Sequence, residues 1–315
     1  MDQNEKALII KSLARDHGFL EVGFSVVRSL DEEKDRLNNW LSMGYHGDME
    51  YLARNTSMRL NPDELMPGAK SVISLAYNYY MPASYTPGSP KVSMYAQGQD
   101  YHKVIKKKLK SLWLDIQSRV EPKSKARYFV DSAPVMERQW AANAGIGWQG
   151  KNTLLIHPRH GSYFFLAEII CDLDLPPDNP IRDHCGTCTR CIDACPTKAI
   201  DDKGYLLKAD QCISYLTIET QNDIPEAFQE NLNSWIFGCD ICQEVCPWNK
   251  FSAPHDEPLF YPVSEYLNWT MADWQELTEE KFEQHFNTTP LKRAGYEKIS
   301  KTLISINGPI EASKE

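Results

Sequence analysis

An α+β fold is predicted: a mixed first part, a cysteine-rich module, and a short helical C-terminus. Helical and strand periodicities alternate up to about residue 175. A proline-punctuated stretch without period, "LDLPPDNPIRDH", then leads into eight cysteines grouped at cluster spacing. The last fifty or so residues carry helical periodicity only. These shifts divide the chain into residues 1–175, 176–255 and 256–315.

Taken in order, helical spacing covers 4–17, 31–43, 100–120 and 134–144. Strand-like runs are "LEVGFS", "SVISLAYNY", "ARYFVDS", "NTLLIH" and "SYFFLAEII". The turn-rich "MPASYTPGSPK" between the second and third runs reads as an exposed loop. Within the cysteine-rich part, "PEAFQENLNSWIF" reads as a helix separating two cysteine groups. The end reads as helices around "MADWQELTEEKFEQHF" and "LKRAGYEKISKTLISI".

Composition narrows the function. The 315 residues are 42% hydrophobic and 24% charged, an ordinary globular balance. No apolar run reaches bilayer-spanning length, and the first residues lack the basic head and apolar core of a secretory signal. The cytoplasm is therefore expected, which suits cysteines clustered at metal spacing rather than scattered as staples. A net charge of −9 argues against a protein that coats nucleic acid at large, while leaving room for a local basic surface.

The cysteines carry the sharpest signal. "HCGTCTRCIDACP" holds Cys185, Cys188, Cys191 and Cys195 ahead of Pro196; "FGCDICQEVCPWN" holds Cys239, Cys242 and Cys246 ahead of Pro247. The second group is one thiolate short, and Cys212 upstream supplies it. In two-cluster ferredoxins the cysteine before proline ligates the other cube. That rule assigns Cys185, Cys188, Cys191 and Cys246 to one 4Fe–4S cluster and Cys212, Cys239, Cys242 and Cys195 to the other. Two zinc sites are the alternative for the same donors. The ninth cysteine, Cys171, ends an apolar strand and reads as a buried small hydrophobe.

Clusters move electrons singly and do no substrate chemistry, so the first domain must say where electrons go. Gly145-x-Gly147-x-x-Gly150-Lys151 mimics a dinucleotide loop, yet it follows a helix and leads into a strand, the reverse of that fingerprint. Gly145 reads instead as a helix terminator. In "YFVDSAPVMERQW" the residues admit two roles. Asp131 or Ser132 could cap the helix opened by Pro134, the simpler reading. Alternatively, Asp131 is a carboxyl over a pocket, its pKa raised by burial, that donates a proton. "GYHGDMEYL" with Arg54, and "YAQGQDYH", are aromatic and acidic stretches with no specific signal alone.

In this order, "GYHGDMEYL" with Arg54, "LMPGAKSVI", "YAQGQDYHK", "DSAPVMERQWAANAGIGWQGKNTLLI" and the two cysteine runs closely resemble the epoxyqueuosine reductases, iron–sulfur enzymes of transfer-RNA modification. The resemblance spans roughly residues 5–255. It implies a nitroreductase-like cobalamin-binding domain, similar to that of reductive dehalogenases, joined to a ferredoxin-like double-cluster module. It implies Asp131 as proton donor, and cobalamin contacts at Arg54, Met94, Leu155, Leu166, Asp240 and Ile241, with Asp131 beside the cofactor. It implies a corrin held without its own base as lower ligand, and reduction of epoxyqueuosine to queuosine at the tRNA wobble position. Family members often continue into a longer helical, HEAT-like C-terminus.

An external electron donor and a monomer are expected. For tRNA phosphates the candidate side chains are Lys103, Lys106, Lys107, Lys108 and Lys110, with Lys292, Arg293, Lys298 and Lys301; each singly also reads as a solvated helix face. Two other readings compete: an electron carrier whose first domain only docks a partner, and a reductive dehalogenase.

Overall fold

The computed structural model describes residues 1–82, 85–262 and 265–307. Residues 83 and 84 of the predicted loop, and 308–315 of the predicted C-terminal segment, lie outside the described residues. A four-stranded antiparallel sheet organises the first part. Its strands are β1 (Glu21–Val26), β2 (Ser71–Asn78), β4 (Ala126–Phe129) and β7 (Phe164–Cys171), in the order β1-β2-β7-β4. The two central strands are buried on both faces, so they read as apolar runs rather than alternations.

Alternation still sorts their side chains. Ile73, Leu75 and Tyr77 of β2, with Phe165, Ala167 and Ile169 of β7, face helices α1 (Gln3–Asp16) and α3 (Tyr101–Arg119). Helix α2 (Asp31–Ser42) lies beyond β1 in sequence, as predicted. The opposite face takes Val72, Ala76, Leu166 and Ile170 against α4 (Glu137–Asn143) and a small hairpin. That hairpin pairs β5 (Trp148–Gln149) with β6 (Leu155–Ile156). At Gly23 the end of α4 comes so near β1 that an added Cβ would sit 2.0 Å from Ala144 O.

Three expected elements are redrawn. The helix expected at 134–144 starts only at Glu137, because the chain from Asp131, itself left-handed at φ 52°, forms a loop first. The strand expected at 152–157 contracts to β6, because Thr153 is also left-handed at φ 65°. The helix expected at 225–237 stops early. Glu226–Gln229 and one 3-10 turn form, then Asn233 and Ser234 take positive φ. Trp235–Phe237 becomes strand β8, pairing in parallel with β3 (Lys91–Val92). Bulky, fully buried Trp235, Ile236 and Phe237 gain more from this pairing than from one more helical turn.

The C-terminal helices close over β3 and β8. Helices α6 (Met271–Gln275), α7 (Glu279–Phe286) and α8 (Leu291–Asn307, turned at Gly295) follow α5 (Ile213–Ile218) of the cysteine module. Trp274, Phe282, Phe286, Leu291 and Ile299 form one core with Val92 and Phe237. The stretch before α3 is gripped by the same region: Gln99 donates its N–H to Leu259 O and Asp100 donates to Thr288 O. The linker is also tied down, with Asp178 accepting from Phe24 N–H and from Lys11.

Candidate active site

The cysteine module carries eight thiols on three short segments. All nine cysteines are free, and Cys171 is the buried outlier on β7, as expected. Their mutual influence sorts the eight. Burial, and then the neighbouring Cys185, Cys246 and Cys188, raise the Cys191 thiol to about 11. Burial and then Cys185 and Cys188 act on Cys246. Burial, then Cys212 and Cys195, push up Cys239; burial, then Cys212 and Cys239, push up Cys242, which also feels Cys191. The neighbours thus form two sets of four, each drawing a member from the other's sequence run. Two adjacent all-thiol sets suit iron–sulfur cubes, which bind thiolates and so oppose the upward shifts seen in the bare thiols.

The glycine run beside α4 serves this module. Gly145, at φ 71°, terminates α4 as expected. Lys151 donates to the carbonyls of Gly186 (2.7 Å) and Cys188 (3.0 Å), so the apparent phosphate-loop lysine caps the first cysteine run. Trp148 packs edge-on against His184 and Trp248, and the Asn152 amide reaches Cys242 O at 3.5 Å.

Asp131 does not cap a helix. The residue before α4 is Met136, which offers no side-chain cap, and the Asp131 carboxylate turns to α3 instead. Tyr101 donates its hydroxyl to Oδ2 at 2.5 Å, and His102 Nε2 lies 3.5 Å from the same oxygen. The ring is oriented from behind, with His102 Nδ1 2.7 Å from Asp100 Oδ1, the N-cap of α3. From α8, Arg293 Nη1 reaches His102 Nε2 at 3.1 Å. Tyr101 itself is stacked on Phe165 of β7, centroids 4.1 Å apart.

The electrostatics differ from the sequence expectation. Burial pushes the Asp131 carboxyl up, but hydrogen bonds from His102 and Tyr101 and the charges of His102 and Arg293 outweigh it, so its pKa is lowered, not raised. Burial lowers His102, and the bonds to Asp100 and Asp131 outweigh that, leaving it above the ordinary histidine value. These shifts favour an ionised carboxylate at Asp131 and a charged imidazole at His102. The Asp131 side chain is 59% open, yet Tyr51, Tyr95, Arg138 and Glu219 all feel its charge. The carboxylate is thus open to solvent and ringed by titratable side chains.

The expected cofactor contacts lie on separate segments. Met94 donates its N–H to Asp240 Oδ2 at 2.7 Å. Burial pushes the Asp240 carboxyl up to about 7, and burial, then the charges of Asp131 and Asp240, hold the Tyr95 hydroxyl neutral well above its ordinary pKa. Ile241 follows in the short Ile241–Glu244 turn between two cysteines. Leu155 and Leu166 share one apolar cluster. Arg54 is exposed on the stretch that carries Tyr51. Apolar leucines and hydrogen-bonding carboxylates are the side-chain types that a large, partly apolar group with polar edges would need.

Of the basic candidates, Lys103, Lys106, Lys107 and Lys110 are exposed on α3. Lys108 is instead paired with Glu257 at 2.8 Å, Lys292 with Glu283, and Lys301 with Asp223 and Glu297; Lys298 donates to Thr220 O. Elsewhere Glu21, His157 and His160 meet at the end of β1. His157 Nδ1 accepts the Arg159 N–H at 3.1 Å, so its proton faces Glu21 from Nε2 and the group is a hydrogen-bonded cluster.

The chain is 50% identical over 295 residues to an epoxyqueuosine reductase of Leadbetterella byssophila, covering 93% of this chain and 96% of that one. It belongs to the epoxyqueuosine reductase family. An epoxyqueuosine reductase of Cellulophaga algicola is 47% identical over 94% of this chain and 96% of its own length. Residues 59–132 match the family model described as "Epoxyqueuosine reductase QueG, DUF1730", and 184–249 match the 4Fe–4S double cluster binding domain. The cysteine module is thus of the iron–sulfur type. A crystal structure of an epoxyqueuosine reductase with an epoxyqueuosine-modified tRNA-Tyr stem loop superposes with TM-score 0.85 at 31% identity, covering 97% of this chain and 81% of that one. A Bacillus subtilis epoxyqueuosine reductase, solved with its catalytic aspartate loop swung out of the active site, matches with TM-score 0.85 at 30% identity over 97% of this chain and 82% of its own. Membership makes the chain an oxidoreductase of α+β fold. No helix among the described residues is long and apolar enough to cross a membrane.

Sequence reasoning missed Tyr101, His102, Glu137 and Glu168, and read Arg293 only as a candidate for tRNA phosphates. The first two stand inside "YAQGQDYH", where Asp100 and His102 two apart were the available signal. Glu168 is a lone carboxylate in the apolar run "SYFFLAEII", a signal as plain as any in the chain.

Proposed function

We propose that this enzyme reduces epoxyqueuosine to queuosine at the wobble position of tRNA, using cobalamin and electrons relayed by two 4Fe–4S clusters, with Asp131 as proton donor. The observation that carries the reading is the open Asp131 carboxylate, held by the Tyr101 hydroxyl and facing His102 Nε2 at 3.5 Å.

Turning an epoxide into an alkene consumes two electrons and two protons and releases water. When bound, the clusters and the corrin supply the electrons and a nucleophilic centre toward the strained carbon. The protein's own side chains do the rest. Met94, Leu155, Leu166, Asp240, Ile241 and Arg54 would hold the corrin, and the crossed cysteine sets, Cys185, Cys188, Cys191, Cys246 and Cys195, Cys212, Cys239, Cys242, would hold the cubes. Asp131 delivers a proton to the departing oxygen, which leaves poorly as an alkoxide. His102 returns a proton to Asp131, and Asp100 fixes the ring so that Nε2 faces the acid. A single wobble nucleotide must be splayed from the anticodon loop to reach Asp131. In this proposal the enzyme acts as a monomer in the cytoplasm and takes electrons from an external donor.

The test is Asp131→Ala, assayed anaerobically on an epoxyqueuosine-containing stem loop. Iron content and the corrin spectrum stay at wild-type values while turnover is lost; full product formation refutes the assignment. A wild-type protein that ignores added corrinoid fits an electron carrier instead, and activity on a halogenated small molecule alone fits a dehalogenase.

A further inference from the structure

Asp131 is held by a contact that proton delivery does not use. Its backbone is left-handed at φ 52°, a conformation that non-glycine residues adopt rarely and at a cost. Something must fix it there. Its N–H is donated to Glu137 Oε1 at 2.6 Å, from the first turn of α4. Glu168 is fully buried in β7 opposite Ser74 of β2 and Phe129 of β4, and neither of its carboxylate oxygens has a hydrogen-bond partner among the described residues. Burial, and then the charge of Asp131, pushes Glu137 up to about 8; burial and then Glu137 push Glu168 well above the carboxylate range. A protonated Glu137 accepts the Asp131 N–H without setting a second negative charge beside the acid.

We propose that Glu137 is the latch that seats the Asp131 loop. It is a positioning residue: it acts through the Asp131 backbone and touches neither substrate nor cofactor. The functional meaning rests on Asp131 being the proton donor, whereas the latch itself is a property of the loop. Glutamine at position 137 keeps the accepting oxygen, and alanine removes it.

The experiment compares Glu137→Ala, Glu137→Gln and Asp131→Ala in the full, cluster-loaded chain. Hydrogen exchange of the peptide spanning 130–136 reports the latch, kcat and KM on the stem loop report its use, and iron content reports folding. One such hydrogen bond is worth about a factor of ten. Glu137→Ala therefore exchanges this peptide about tenfold faster and loses about tenfold in kcat with KM within threefold. Glu137→Gln restores both to within about threefold of wild type. Wild-type exchange in Glu137→Ala, or equal damage in Glu137→Gln, overturns the latch. Normal turnover by Asp131→Ala overturns the proton-donor reading alone, because it leaves the exchange comparison standing.

Discussion

Replacing His102 with asparagine takes away the proton store and leaves the acid in place. Asp131 keeps the Tyr101 hydroxyl at 2.5 Å and loses only the imidazole at 3.5 Å. A positioned acid contributes roughly 10²–10⁴ in rate. Losing its resupply but not its position should cost the lower part of that range, about tenfold to hundredfold in kcat. The pH dependence is more telling. His102 is raised above its ordinary value because the bonds to Asp100 and Asp131 outweigh burial. Its charged form, and the stability that the ion pair adds, is complete below the unfolded histidine pKa and is lost as pH rises through the folded one. Wild-type kcat should fall along the same alkaline limb, measured anaerobically on the stem loop with a chemical reductant. His102→Asn should lack that limb. Arg293→Ala should do the opposite: removing a positive charge 3.1 Å from Nε2 raises His102 further and moves the limb to higher pH. An unchanged limb in His102→Asn, or a downward shift in Arg293→Ala, would refute the relay.

The crossed cysteine sets make an exchange of losses: Cys195→Ser should strip the cube otherwise bound by the second cysteine run, and Cys246→Ser that of the first. Each variant would keep about four of eight irons, one cube needing four thiolates, and electron paramagnetic resonance of the surviving cluster tells the two apart. Gly23→Ala drives a Cβ to 2.0 Å from Ala144 O and should lower the melting temperature by several degrees, with little change in the pH profile of activity. Glu137 is raised to about 8 from an unfolded value near 4.5, so the folded chain binds a proton the unfolded one has lost. Stability should therefore fall with rising pH across that window by up to about 1.4 kcal/mol per unit, and Glu137→Gln should flatten the slope in urea titrations.

Legibility in the sequence followed contact range. The central strands β2 and β7 announce themselves as apolar runs because both faces are buried, and the cysteine spacings are local, so their ligand chemistry is read directly. The strand β8 was hidden because its partner, Lys91–Val92, lies far away in sequence. The relay was hidden for the same reason, since Asp131, His102 and Arg293 arrive from a loop, α3 and α8. Asp131 itself was visible, but its charge state was not. Burial alone predicts a raised pKa, and only the neighbours brought by other elements reverse the sign.

The seating of α3 by the chain's end has a consequence for biosynthesis. Asp100 leans on Thr288 and His102 meets Arg293, while every cysteine of the two sets lies earlier in the sequence. A nascent chain still missing its last helices already exposes a full complement of sulfur donors to the machinery that loads iron. The surroundings of Asp131 are complete only once Thr288 and Arg293 have emerged, so sulfur donors precede them in synthesis.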